Sequence, residues 1–264
     1  MSLAKLTEIE VKLLITAQDP VVFLKGIARK SAVLNFQLIK HGRRHIRDIY
    51  LDTSAFKLKN QRLALRLRKQ NSQYFLTLKG KTKIRDWGGV ERLEVELPWS
   101  ASSLRKINKI LTENNAPLNL TNNLTGIRNP LEYLPHSNLK IIQDRKTSRL
   151  IRAVILPHHP NNILAELALD TVSYQLAGQI ILQAEIELEA KSAEGLEPVR
   201  QIREHFLQRY PQQLRSWTIS KLSTGLMIEQ LQQEGILKQF LSSHDYLLPQ
   251  AYDYFTKKFT NIQD

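Results

Sequence analysis

Thr7-Glu8-Ile9-Glu10-Val11-Lys12-Leu13-Leu14-Ile15, near the start of the chain, alternates apolar and charged side chains. A strand points successive side chains to opposite faces, so Ile9, Val11 and Leu13 share one face and Glu8, Glu10 and Lys12 the other. The same period-two pattern recurs down the chain. In residues 48–53, Ile49 and Leu51 alternate with Asp48, Tyr50 and Asp52. In 63–69, Leu63, Leu65 and Leu67 alternate with Arg66 and Arg68. In 74–81, Thr77, Lys79 and Lys81 share a face, with Phe75 at the same parity. In 90–97, Leu93, Val95 and Leu97 oppose Arg92, Glu94 and Glu96. Alternation returns in 164–171, with Glu166 and Asp170, and in 181–190, where Glu185, Glu187 and Glu189 oppose Ile186 and Leu188. Residues 139–156 are rich in β-branched types and extended, but of mixed parity, so Arg145, Lys146 and Arg149 compete for the charged face. These segments predict about eight strands.

Helical periods lie between them. Residues 21–39 carry an apolar stripe through Val22, Phe23, Ile27 and Val33 or Leu34, after an Asp19 cap and Pro20. Residues 102–114 open on Ser102 or Ser103 and carry Leu104, Ile107 and Leu111. Residues 194–210 carry Leu196, Val199, Ile202, Phe206 and Leu207. Beyond Ser220 the chain reads as two more helices. The first has Ile228, Leu231, Ile236, Leu237, Phe240 and Leu241, and the second opens at Pro249 with Tyr252, Phe255, Phe259 and Ile262. So apolar a tail must bury against something, with the outer wall of the sheet favoured over a partner chain or the mouth of an enclosed site.

The charged faces carry the function. An antiparallel sheet with one face in water would mix Ser, Thr, Gln, Lys and Glu there. Here Arg66 and Arg68 repeat at i, i+2, as do Glu8 with Glu10, and Glu185 with Glu187 and Glu189. Repeated like charges repel, and a free surface has no need to concentrate them. A closed barrel with a charged interior accounts for both sets, with carboxylates for divalent metals and Arg or Lys for phosphates.

Composition narrows the class. The 264 residues include no cysteine, which excludes disulfides, thiolate metal sites and cysteine nucleophiles. Glu8, Glu10, Lys12 and Asp19 interrupt the first twenty residues, so no secretory signal is expected there. Without one, the sequons at Asn119 and Asn123 read as chance, and a cytoplasmic protein without a membrane span is expected. The net charge of +13 calls for a polyanionic partner. Trp87, Trp99 and Trp217 form no stacking ladder, which disfavours single-stranded nucleic acid.

Taken in order, TEIEVK, DIYLDT, LALRLRK, FLTLKGK, RLEVEL, LAELALDTV, AEIELEA and SKLSTGL resemble the CYTH family, also called triphosphate tunnel metalloenzymes, over about residues 5 to 225. The layout is most similar to the bacterial inorganic triphosphatases. The resemblance implies an α+β fold: an eight-stranded antiparallel β-barrel enclosing a polar tunnel, with outer helices. It places the family domain at 1–225 and a C-terminal helical extension at 226–264, packed on the barrel or a partner. It implies a Mg2+- or Mn2+-dependent triphosphatase acting on a triphosphate-containing small molecule, as monomer or homodimer. Hydrolysis of inorganic triphosphate is the expected reaction. Thiamine or nucleoside triphosphate hydrolysis, ATP cyclisation, and a polyphosphate-binding module without turnover are the alternatives.

Residue by residue, the resemblance assigns Glu8, Glu10, Glu94, Asp170, Glu185, Glu187 and Glu189 to metal. It assigns Lys12, Arg66, Arg68, Lys79, Arg92, Arg145, Arg149 and Lys221 to phosphate, and the catalytic set to Glu8, Glu10, Lys12 and Glu187. The chemistry agrees. Phosphoryl transfer asks for positioning and charge neutralisation more than covalent steps. Hard cations take carboxylate oxygens, and guanidinium forks match phosphate oxygens. A pure polyanion binder would have no use for so many carboxylates. Thr224 stands where the family often has a basic residue.

The remaining motifs are weaker. Gly80-Lys81-Thr82 imitates the end of a phosphate-binding loop, but position 75 is Phe where the first glycine is required. Residues 41–45 (His-Gly-Arg-Arg-His) read as a solvated basic loop before a strand. His158 and His159, flanked by prolines, read as a hairpin loop. Tyr50 reads as structural, and Asp52 as a carboxylate that could orient an arginine.

Overall fold

The computed structural model describes residues 7–118, 120 and 129–263. The sequon positions Asn119, Thr121, Asn123 and Thr125, and the side chains of Phe259 and Ile262, lie outside the described residues. In chain order the elements are β1 (Thr7–Ile15), α1 (Pro20–Ala28), β2 (Ala32–Val33), β3 (Phe36–Thr53), α2 (Lys57–Asn60), β4 (Ala64–Gln70), β5 (Gln73–Ile84), β6 (Val90–Pro98) and α3 (Ala101–Glu113). There follow α4 (Pro130–Tyr133), β7 (Leu139–Ile155), β8 (Ala165–Leu176), β9 (Gln179–Ala190), α5 (Leu196–Arg209), β10 (Leu214–Ser216), α6 (Lys221–Gln233) and α7 (Pro249–Gln263).

Hydrogen bonding runs β1-β6-β5-β4-β3-β7-β8-β9 and returns to β1, so eight strands close an antiparallel β-barrel. β2 adds to β3 and β10 to β1. No helix among the described residues is long and apolar enough to cross a membrane.

The chain divides into two compact units. Among the described residues, the first comprises Thr7 and Glu8, His45–Lys83 and Glu91–Arg145. Its core joins Ile49, Leu51, Leu65, Leu67, Leu76, Leu78 and Val95 to Leu104, Ile107 and Leu111 of α3. Those α3 residues recur at helical spacing, and each fully buried side chain contributes about 1.5–3 kcal/mol. The cap of α3 is Ser100, whose Oγ accepts from the Ser103 N–H at 3.1 Å, two residues earlier than expected. In a Ser-Ala-Ser-Ser run, the hydroxyl three residues before the first unsatisfied N–H takes the role.

The second unit comprises Ile9–Arg44, Ile84–Val90 and Lys146–Asp264. Its sheet has two different coverings. Val11, Leu13, Leu167, Leu169, Ile186 and Leu188 pack with Ile27 of α1 and with Val199, Ile202 and Phe206 of α5. The opposite parity, Leu14, Val172, Tyr174 and Ile181, packs with Trp217, Ile228 and Leu231 and with Tyr252 and Phe255 of α7. The tail therefore does not lie on the apolar face with α1 and α5. It covers the end of the face that carries Lys12, Asp170 and Glu185, because Leu14, Val172, Tyr174 and Ile181 lie beyond the charges on that face.

Two further expectations are corrected. The helix predicted over 21–39 stops at Ala28. Val33 pairs with Phe36 across Leu34, whose φ of 55° makes a tight turn, and buried Phe36 and Leu38 then alternate with exposed Gln37 and Ile39. The basic segment 41–45 is not a loop but part of the 18-residue strand β3.

Candidate functional site

Each unit holds one group of buried charges. In the first unit, β3 and β4 are paired so that Arg68 lies opposite Asp48 and Arg66 opposite Tyr50. Buried Asp48 accepts from Arg68 Nε at 2.8 Å, Arg145 Nη2 at 2.9 Å and Arg66 Nη1 at 3.4 Å. Arg66 also reaches Glu94 at 3.1 Å and Glu96 at 3.4 Å, and Glu96 accepts from Thr77 Oγ1 at 2.9 Å. Lys79 Nζ lies 2.5 Å from Glu94 and 3.1 Å from Glu8, and Arg92 donates to Glu8 at 3.0 Å. Burial alone would raise the Asp48 carboxyl, but Arg66, Arg68 and Arg145 outweigh it and hold it well below the usual range. Burial also pushes the Tyr50 phenol up, yet Arg145 and Arg66 bring it down to about 8. Arg66 is held charged by Asp48, Tyr50 and Glu94 against its burial, and its buried Nε has no hydrogen-bond partner among the described residues.

In the second unit, β1, β8 and β9 are in register so that Lys12 lies opposite Glu187, and Asp170 opposite Glu185. Arg149 forks onto Asp170, Nε to Oδ1 at 2.8 Å and Nη2 to Oδ2 at 2.6 Å, and also contacts Glu187. Lys221, the first residue of α6, brings its ammonium to 2.5 Å from Glu187 Oε1 and 3.2 Å from Asp170 Oδ2, and against Glu185 Oε1. Lys12 Nζ donates to the Ile219 carbonyl at 3.0 Å. Burial opposes the charge on Glu187, but Lys221, Arg149 and Lys12 hold its carboxyl well below the usual range. Burial wins at Glu185, whose carboxyl is raised. Lys221 is raised, since Glu185, Glu187 and Asp170 outweigh its own burial. Burial lowers Lys12.

Asp170, Glu185 and Glu187 are all buried, and oxygens from the three lie within 4.8 Å of one another. Three hard oxygen donors at that spacing fit a divalent cation such as Mg2+ or Mn2+. Glu185 Oε1 is buried and faces the Lys221 ammonium rather than a hydrogen-bond donor of the strands. The Lys221 ammonium stands in the same place, where it neutralises the carboxylates.

The expected site residues fall out as follows. Arg66, Arg68, Lys79, Arg92, Arg145, Glu8 and Glu94 gather in the first group. Lys12, Arg149, Asp170, Glu185, Glu187 and Lys221 gather in the second, with Glu10 buried on the same face of β1 and opposite Glu189. Glu189 stands apart from the triad: it is half-exposed and pairs with Lys191 at 2.9 Å, and Lys191 also pairs with Glu166. Of the competing basic residues in β7, Arg145 and Arg149 are both turned in and Lys146 is exposed. Among the described residues Asp52 has no arginine partner. Its carboxylate accepts from the N–H groups of Thr53, Leu58 and Lys59, capping the short α2. Asp48 has the arginine role instead. Asp48, Glu96, Thr77, Gln183 and Tyr174 were not foreseen, although Asp48 shares the parity of Tyr50, Glu96 that of Glu94, and Gln183 that of Glu185.

A closed barrel carrying both groups agrees with the family comparison, in which residues 6–215 match the model of the CYTH domain. The chain belongs to the CYTH family. A similar solved structure, from Hippeastrum, is a candidate adenylyl cyclase with a dominant triphosphatase activity. It is 19% identical, with a TM-score of 0.53, over 83% of this chain and 95% of that one. A candidate adenylate cyclase from Bacillus halodurans is 21% identical, with a TM-score of 0.48, over 82% and 96%. The RNA triphosphatase Pct1 of S. pombe is 11% identical, with a TM-score of 0.36, over 78% and 83%. At 19% identity the likeness to the Hippeastrum structure is one of fold alone. No curated protein matches the chain.

Proposed function

We propose that this chain hydrolyses inorganic triphosphate to pyrophosphate and phosphate with Mg2+ or Mn2+ as cofactor, its CYTH domain spanning 1–225 and residues 226–264 forming an extension. The observation that carries the reading is the buried carboxylate triad Asp170, Glu185 and Glu187, which a module that only captures polyanions would not need. Glu187 is held ionised by Lys221, Arg149 and Lys12, as a carboxylate ligand must be. Asp170, Glu185 and Glu187 would hold a divalent cation, which would supply neutralisation of phosphate charge and activation of water. Arg66, Arg68 and Arg145 offer planar guanidinium forks for phosphate oxygens, and Lys79 a point charge. Asp48 holds those arginines in place before substrate arrives, so little reorganisation is needed on binding. Tyr50, the aromatic ring of this group, is buried against Arg145 at 4.9 Å, which leaves it no open face for a nucleobase.

The test is phosphate release from tripolyphosphate, ATP, thiamine triphosphate and pyrophosphate, each with and without Mg2+ or Mn2+. Metal-dependent turnover fastest on tripolyphosphate is expected. Equal or faster cleavage of ATP, or cyclic AMP as product, moves the protein to another branch of the family.

A further inference from the structure

The carboxylate triad has a buried support that the proposed chemistry does not use. Gln183 lies on β9 two residues before Glu185, on the same face and opposite Val172. Its side chain is fully enclosed, at 1% exposure, as is that of Tyr174. Gln183 Nε2 donates to Glu185 Oε2 at 2.6 Å, and Gln183 Oε1 accepts from Tyr174 Oη at 3.1 Å. Tyr174 is wedged among Trp217, Ile228, Leu231, Tyr252 and Phe255, so the phenol is anchored by the C-terminal helices.

We propose that Gln183, oriented by Tyr174, is a positioning residue that holds Glu185 Oε2 and so keeps Oε1 alone turned to the place where Lys221 now stands and a divalent cation would bind. This rests on the metal reading above. An amide carries a donor at one end and an acceptor at the other. A phenol donating to Oε1 fixes which end faces Glu185. Without it the amide can turn and set oxygen against oxygen. Without the amide, Glu185 can rotate and close both of its oxygens on Lys221, the ammonium any cation must displace. Groups that orient a metal ligand in this way typically contribute about 10- to 100-fold in metal affinity.

The experiment measures Mn2+ affinity of the full chain by electron paramagnetic resonance, with a thermal melt of each variant. Gln183→Met keeps the volume and removes both hydrogen bonds. Tyr174→Phe removes only the orienting one, and Glu187→Gln serves as the site control. Wild type is expected to bind Mn2+ and Glu187→Gln to lose it. Gln183→Met is expected to bind about 10-fold more weakly while still melting cooperatively. Tyr174→Phe should shift the same way by less. A Gln183→Met protein that binds Mn2+ as wild type does overturns the inference, since a residue that merely fills space would give that result. If Gln183→Met does not fold, unchanged affinity in Tyr174→Phe overturns it. Wild type with no Mn2+ binding sensitive to Glu187→Gln overturns the metal reading and this inference with it.

Discussion

The two charge groups are built on the same strand chemistry with opposite emphasis. Around Asp48, cations outnumber carboxylates: Arg66, Arg68, Lys79, Arg92 and Arg145 stand against Glu8, Asp48, Glu94 and Glu96. Around Lys221 the balance reverses, with Glu10, Asp170, Glu185 and Glu187 against Lys12, Arg149 and Lys221. One group is short of negative charge and the other of positive charge. Buried pairing therefore need not mean a finished salt-bridge network. A lone buried ion costs several kcal/mol, so each group carries enough opposite charge to fold and leaves a remainder of one sign for a ligand of the other.

The hardest test of that contrast is Glu187→Gln, which removes a cation-side charge at constant size. A fall in metal-dependent turnover of about 10²–10³ is expected. The fold should be preserved, because Lys221 keeps Asp170 and Glu185. A near-normal rate in a folded variant breaks the division of labour. Arg66→Ala acts on the other side and should read differently, raising KM as well as lowering kcat. It should also cost about 3 kcal/mol in denaturant unfolding, the lower end for breaking a buried pair, since Asp48 keeps Arg68 and Arg145. A pure kcat effect would assign Arg66 to the chemistry rather than to substrate binding.

Tyr50 sharpens the contrast through pH. Its phenol ionises at about 8 in the fold against 10.0 when free. A depressed value means stability that is full above the unfolded value and is lost as pH falls through the folded one. The phenolate absorbance of one tyrosine should therefore rise near pH 8, and wild type should gain about 2–3 kcal/mol over Tyr50→Phe between pH 8 and 10. An absorbance rise confined to pH 10 and above would mean that the arginine group holds less uncompensated charge than the contacts imply. The smallest effect is expected from Asp52→Ala, which removes a cap and no arginine partner. It should cost about 1–2 kcal/mol of stability and leave turnover unchanged. A clear loss of turnover would return Asp52 to the arginine group.

The strands were legible because each repeats at period two over enough residues to decide a face. Thr7–Ile15 is the same in sequence pattern and structure. Where two periods compete, the sequence misleads. Val33 and Leu34 continue the helical stripe of α1, and only the tertiary pairing of Val33 with Phe36 turns them into a hairpin. The charged residues of the site were legible as faces, but their partners were not. Asp48 and Asp52 share a parity, and the choice between them depends on where β4 and β7 place their arginines. The side of the sheet covered by α6 and α7 was equally hidden, since an apolar helical stripe records that it is buried and not against what. Leu14, Val172, Tyr174 and Ile181 hold that information, and it shows only when the charged parity is followed beyond its charges.

The near-complete pairing of the buried charges bears on how substrate is captured. Taken together, the cations named in the two groups and the carboxylates beside them cancel one for one, yet the whole chain carries +13. The surplus is therefore on the rest of the chain, where segments such as Lys40, Arg43 and Arg44 are at least partly open to solvent. A field of that origin reaches roughly a Debye length, about 8 Å in physiological salt. It gathers polyanions whatever their terminal group, so encounter rates should fall with ionic strength alike for tripolyphosphate and ATP. On the proposed function, choice among triphosphates is then left to the buried groups, after capture.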